Sequence, residues 1–318
     1  SYILMPLVVW ADASFWEDPV FKVIYKYYSG SGVACVYCGG GVSDIVILDR
    51  FIADGNEYVV TSIGYSAFLG DDEIVSVTIP NTVKTIEGNA FNNCTGLMAV
   101  HFEDNSVTNI ENRAFVRCRS LTSIDFPNSL TYIGDAAFES CYNLKDVKLP
   151  NSLTTIDTYA FNECGLSSIT IPKSVKCIKT CAFACESLND VHIFDLTAWC
   201  NIEFNGVNAN PLSYAKHLYL NNKEITDVEI PEGTTCISDY AFYNFSGMTS
   251  IKIPNTVTSI GEEAFRNCQG LTSIIFPNSV ESIGEWALLG CSSLDYVVIG
   301  KGLKRIEWAV IPPCNDVY

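Results

Sequence analysis

The side chains best suited to chemistry in this sequence are its 14 cysteines and three histidines. A metal centre or thiol enzyme needs such residues grouped at short, fixed spacing. Cys35-Val-Tyr-Cys38 is the one C-x-x-C in the chain. Taken alone it fits a redox pair, half of a zinc site, or a coincidence on a hairpin, and a disulfide there stays open. No second Cys or His pair at metal spacing accompanies it, which weighs against the first two readings. His101, His192 and His217 belong to no H-E-x-x-H or other catalytic spacing. Nothing marks a nucleophile elbow or an oxyanion loop, and Gly30-Ser-Gly32 lacks the third glycine and following helix of a dinucleotide fingerprint. The expectation is therefore no catalytic residue, no metal and no cofactor.

Half of the cysteines obey a different rule. Cys94, Cys118, Cys141, Cys164, Cys268 and Cys291 each lie three residues after a recurring Phe position, held by Leu288 in the last case, and Cys185 lies two after. Such regularity assigns them to an internal ladder of small, reduced, apolar side chains. Cys177 and Cys236 precede an inward Ile and read as surface or edge thiols.

That Phe belongs to the dipeptide Ala-Phe, found at Phe68, Phe91, Phe115, Phe138, Phe161, Phe183, Phe242 and Phe265, with degenerate copies at Ala287-Leu288 and Ala309-Val310. Successive gaps are 23, 24, 23, 23, 22, 59, 23, 23 and 22 residues, the long one equal to two repeats of 23 plus 13. A period of this length marks a stacked repeat. In the copy that starts at Leu121, Ile124 and Phe126 alternate with Ser123 and Asp125 as in a half-buried strand. Pro127 ends the strand and Asn128-Ser129 turn the chain. A second short extended piece ends at Ile133, Gly134 is expected to supply a positive φ, and one turn carries Ala137 and Phe138 inward. No such unit buries its apolar face alone, so neighbours must stack.

The resulting pattern, Leu-x-x-Ile-x-Ile-Pro-x-Ser-Val-x-x-Ile-Gly-x-x-Ala-Phe-x-x-Cys, resembles the BspA-type (Treponema-type) class of leucine-rich repeats over roughly residues 59 to 310. The resemblance implies a β-rich, right-handed repeat solenoid with short helical turns and a parallel concave sheet. It also implies a secreted or cell-surface role in adhesion or ligand capture, and it supplies no catalytic residue.

Residues 1–58 read as an N-terminal β-rich cap of aromatic strands and Gly-rich turns, and 59–318 as the solenoid. The apolar run Ile3–Ala11 is too short to span a bilayer and is broken by Pro6. It is either the remnant of a leader or a buried cap strand, and the cap strand is favoured. An enlarged, irregular repeat occupies about 194–224. There Asp195 should cap a short helix, Pro211 should open a second helical turn, and His217–Leu220 should enter a hairpin at Asn221-Asn222. Trp199, Phe204 and Leu212 are expected to be buried. A projecting recognition loop at 205–210 is the alternative. At the far end, either Pro312-Pro313 terminates the array or the chain continues further.

Nineteen Lys and Arg against 36 Asp and Glu leave a formal charge of -17, which repels phosphate backbones and argues against nucleic acid as a partner. The expected partner is a host or neighbouring-cell protein or glycan, met outside the cell or at its surface. Candidate contacts are outward strand positions: His101, Asp125, Lys148, His192, Glu229, Lys252, Ile275, Tyr296 and Val298. Most outward positions are small or polar, with no aromatic stripe, but the last three form an apolar patch. A structural spacer, or self-association through the C-terminal end, is the alternative function.

Overall fold

The computed structural model describes residues 13–28, 33–38, 41–306 and 316–317. The run Ile3–Ala11, Gly30, Gly32, Ala309-Val310 and Pro312-Pro313 lie outside them. The architecture is a leucine-rich-repeat solenoid of about 11 turns with parallel sheets. Each repeat contributes a front strand, such as Ser123–Asp125, and a two-residue back strand, such as Tyr132–Ile133. Front strands pair in register with their neighbours, Ile124 beside Val147 and Ile169 beside Val191. Back strands do the same, Ile110 beside Ile133 and Ile133 beside Ile156. The in-register stacking follows from the strict period, because equal repeats place equivalent residues one strand spacing apart.

The turn that carries Ala-Phe is not helical. It is a run of hydrogen-bonded turns in which Phe N–H groups donate to the Ala carbonyl of the following repeat, as Phe115 does to Ala137 at 2.7 Å and Phe138 to Ala160 at 2.8 Å. The described helical segments both lie in the enlarged repeat, Leu196–Cys200 and the 3-10 turn Pro211–Ser213. Positive φ is required, but not at Gly134. It falls on the residue before Ala, for example Arg113 (φ 60°) and Ala136 (φ 52°), and again two residues after Phe, for example Arg117 (φ 60°) and Ser140 (φ 59°). Glycine at 134 serves close approach instead: a Cβ there would sit 2.8 Å from the Asn112 nitrogen of the preceding coil.

Phe68, Phe91, Phe115, Phe138, Phe161 and Phe183 form a continuous stack with centroids 5.0 to 5.5 Å apart and rings within 9° of parallel. Each of these rings is fully buried, a burial worth about 1.5–3 kcal/mol per side chain. One contiguous core runs from Val23 to Val297. Before the first repeat, Ala13–Glu17, Ile24–Tyr28 and Val33–Cys38 extend the back sheet, and Asn56–Ile63 carries that sheet into the first back strand, Thr85–Ile86. Trp16, Tyr25, Phe51 and Tyr58 pack their rings beneath it. Cys35 and Cys38 therefore share one strand rather than a hairpin.

Candidate recognition face

The outward front-strand residues form one polar ladder per side of the strand. Asp125 and Lys148 are cross-strand partners with an ion pair at 3.4 Å, and Lys252 pairs in the same way with Glu229. All four are well exposed, so salt and water screen them and they add little to stability. Each lysine has an anion beside it. His101 is exposed beside Thr78.

The enlarged repeat adds a front strand that counting by repeat length misses. His217–Leu220 pairs parallel with Asp190–Ile193, placing His217 beside Asp190 and Tyr219 beside His192. The His192 and Tyr219 rings stack at 4.6 Å with 16° between their planes. Asn221 (φ 53°) and Asn222 (φ 62°) then make the expected hairpin turn, and Lys223–Glu224 returns antiparallel. Glu224 meets His217 Nδ1 at 2.6 Å. The sequence signal was present, since His217-Leu-Tyr-Leu alternates like every other front strand, but the odd length of this repeat hid its register. The absence of an aromatic stripe still describes most of the face, yet Tyr219 and His192 interrupt it, with Phe194 about half exposed next in the chain.

At the far end Ile275 and Tyr296 are 54% and 40% exposed, with Val298 half-buried beside Ile275. The chain returns along the edge of this sheet, where Asp316–Val317 pairs with Tyr296-Val297. That strand pairs along the edge of the sheet.

The remaining apparent chemistry resolves into packing. All seven ladder thiols donate to the Phe carbonyl of the preceding repeat, Cys94 to Phe68 at 2.9 Å and Cys141 to Phe115 at 3.1 Å among them. Cys177 and Cys236 are half-buried rather than free on the surface. On the back face a shallow groove of about 560 Å³ is lined by Ser238, Gly261, Gly284 and the carboxylates of Asp239, Glu262 and Glu285. Among the described residues no three His, Cys, Asp or Glu side chains group to hold a metal ion, and no helix is long and apolar enough to cross a membrane. Asp195 caps its helix by accepting from Ala198 N–H at 2.9 Å, and Trp199, Phe204 and Leu212 are buried as expected. The 205–210 segment is anchored rather than projecting: Asn210 is fully buried and donates to the carbonyls of Tyr240 and Ala241 at 2.8 and 2.9 Å.

Strand, turn and stacked ring together define a parallel β-solenoid with front and back strands in every regular repeat. Residues 61–195 and 213–316 match the model of the BspA type Leucine rich repeat region, in six copies. The chain belongs to the BspA-type leucine-rich-repeat family. Among solved structures it is similar to the pneumococcal vaccine antigen PcpA, at 21% identity over 93% of this chain and 89% of that one, with a TM-score of 0.50. A leucine rich cell surface protein from Faecalibacterium prausnitzii A2-165 aligns at 23% identity over 91% and 89%, with a TM-score of 0.44. A leucine-rich repeat protein from Bacteroides ovatus ATCC 8483 aligns at 24% identity over 89% and 88%, with a TM-score of 0.40. These likenesses concern the fold. No curated protein matches the sequence.

Proposed function

We propose that this chain is a secreted or cell-surface recognition protein that holds a macromolecular ligand against its front sheet. The observation that carries the reading is the group of exposed Ile275 and Tyr296 with half-buried Val298 on a front face that is mostly small or polar. Exposed apolar side chains grouped in this way mark contact surfaces, and Tyr is favoured at such contacts. Membership of a family associated with bacterial surfaces supports the location. A net charge of -17 disfavours nucleic acid as the ligand.

Binding of the chain to a panel of extracellular-matrix proteins and glycans, beside a Tyr296→Ala, Ile275→Ser, Val298→Ser variant, tests the reading. The expected result is a saturable signal that weakens about tenfold or more in a variant that still folds. A second reading, self-association through the same patch, rests on the exposed apolar side chains of Ile275 and Tyr296. It is favoured if the chain binds nothing on the panel while light scattering shows dimers that the triple variant abolishes.

A further inference from the structure

We propose that Arg113, Arg117 and Arg119 form a binding site for a sugar sulfate or sugar phosphate, held through the three terminal oxygens of the ester. The site goes beyond the recognition reading above. It lies on the Ala-Phe turn of a single coil, between the back strand Asn109–Ile110 and the front strand Ser123–Asp125.

Three of the six arginines in the chain fall within seven residues of this turn, although the whole chain carries a charge of -17. All three are exposed. Among the described residues none of them forms an ion pair or a side-chain hydrogen bond, whereas Arg50 is paired with Asp49 and Glu57 and Arg266 with Glu263. The acids nearby in sequence have other partners or stay unpaired. Glu111 accepts from Asn109 Nδ2 at 3.2 Å on the back strand. On the following coil the carbonyls of Asp135 and Glu139 accept from Arg113 and Arg117 N–H at 2.8 Å each, but Glu139 turns its carboxylate to Asn162 Nδ2 at 3.2 Å. One coil further, Glu163 accepts from Ser140 and Tyr142 at 2.8 and 3.2 Å. On the preceding coil the equivalent positions hold Asn89, Asn93 and Thr95, which carry no charge, and acids return in this turn only two coils back, at Asp71, Asp72 and Glu73.

Arg113 and Arg117 share one backbone conformation, each with φ 60°. Gly70, Asn93, Asn244, Asn267 and Gly290 hold the Arg117 position in other coils, and these are the residue types that such a conformation favours. Arginine there goes against local preference, as side chains kept for function do. Arg119 lies over the Tyr142 ring, 5.7 Å from its centroid, so one guanidinium is ordered before a ligand arrives.

Guanidinium chemistry selects the ligand. Each is a planar fork of N–H donors suited to oxyanions, and a sulfate or phosphate monoester offers three terminal oxygens where a carboxylate offers two. Exposed lysines such as Lys173 and Lys176 carry charge without that fork. Beside the cluster, Asn93 and Thr95 have no side-chain hydrogen bond among the described residues and suit the hydroxyls of the sugar that bears the ester. A peptide strand cannot add here, because Arg113 and Arg117 N–H already donate from coil to coil. The acidic remainder of the chain repels a long polyanion, which favours an isolated ester on a neutral glycan.

The test is ligand-observed NMR titration of the whole chain with N-acetylglucosamine 6-sulfate and glucose 6-phosphate, beside the two unmodified sugars and a phosphoserine peptide. Saturable binding of at least one ester and of neither parent sugar is expected, weaker at high salt, and the two esters separate sulfate from phosphate. Arg113→Ala and Arg117→Ala should each weaken it about tenfold or more at unchanged melting temperature. Arg113→Lys, Arg117→Lys, Arg119→Lys together keep the charge but remove the forks, and should lose a similar factor, whereas Lys173→Ala with Lys176→Ala should change nothing. No saturable binding of either ester, equal binding of the parent sugars, a phosphoserine peptide that outcompetes both esters, or full binding by the lysine variant overturns the proposal. The triple variant at Ile275, Tyr296 and Val298 should bind the ester normally, so this site and the front-face reading can fail separately.

Discussion

A buried thiol is the only cysteine form that the coil-to-coil hydrogen bond tolerates, because the bond needs a proton on sulfur. Cys118 and Cys141 are fully buried and donate to Phe91 and Phe115 carbonyls at 3.2 and 3.1 Å. Burial pushes the Cys94 and Cys141 thiols up to about 12, and Cys185 and Cys291 to about 11. In the unfolded chain these thiols ionise near 8.5. The folded state thus keeps protons that the unfolded state releases, and stability present below that value is lost as pH rises through 11 to 12. Melting temperature should fall steeply between pH 9 and 11, and less steeply in a Cys118→Ala, Cys141→Ala variant, although that variant is less stable at pH 7. Equal slopes would contradict the assignment. The ladder itself was legible from the Phe-x-x-Cys spacing, but its donor role was not, since sequence periodicity reports burial and not what an atom faces. Gly134 failed for a related reason. Glycine signals either positive φ or close approach, and only the neighbouring coil decides between them.

Within the enlarged repeat, side chains replace a missing coil. Elsewhere the Ala carbonyl accepts from the preceding repeat's Phe N–H, but Ala241 has no such neighbour. Trp199 Nε1 at 2.9 Å and Asn210 Nδ2 at 2.9 Å take its place. Asn210 also caps its own 3-10 turn by accepting from Leu212 N–H at 2.8 Å. Asn210→Ala should therefore cost about 1–3 kcal/mol, since it removes one donor each from the Tyr240 and Ala241 carbonyls, which keep Tyr243 N–H and Trp199 Nε1, and leaves one N–H uncapped. Trp199→Phe should cost about 1–2 kcal/mol, because Asn210 still serves the carbonyl. Urea denaturation of the two variants measures both, and a harmless Asn210→Ala would show that water substitutes there. The Asp195 cap, the Pro211 turn and the Asn221-Asn222 hairpin were readable because each depends on residues within one turn of chain. The bonds to Ala241 cross some 30 to 40 residues, as |i−j| of 31 and 42, and no local pattern announces them.

At the scale of the whole molecule the enlarged repeat divides the back ladder. The back sheet that ends at Glu203–Phe204 is separate from the one formed by Cys236–Ile237 and its successors, and one of the several boundaries between groups of front strands falls after Lys223–Glu224. The Phe stack stops at Phe183 and resumes with Phe242 on Phe265 at 5.7 Å. Across the break the apolar core is contiguous, but ladder pairing gives way to scattered hydrogen bonds, among them the Ala241 bonds, Cys236 Sγ to Asn201 Oδ1 at 3.1 Å, Ser238 N–H to the Cys200 carbonyl at 2.9 Å, and Thr197 to Thr234 at 3.0 Å. Solenoid stability is a sum of nearest-neighbour interfaces, so a weakened interface is where cooperativity should fail. Phe265→Ala, which removes a fully buried ring at a cost of about 3–5 kcal/mol, should open the C-terminal repeats first. Hydrogen exchange read by mass spectrometry should then show residues 227–305 losing protection while 76–193 retain theirs. Phe115→Ala should do the reverse. If either substitution instead releases both halves together, the side-chain bridge at Ala241 transmits as much stability as a full coil interface, and the array unfolds as one unit despite the break.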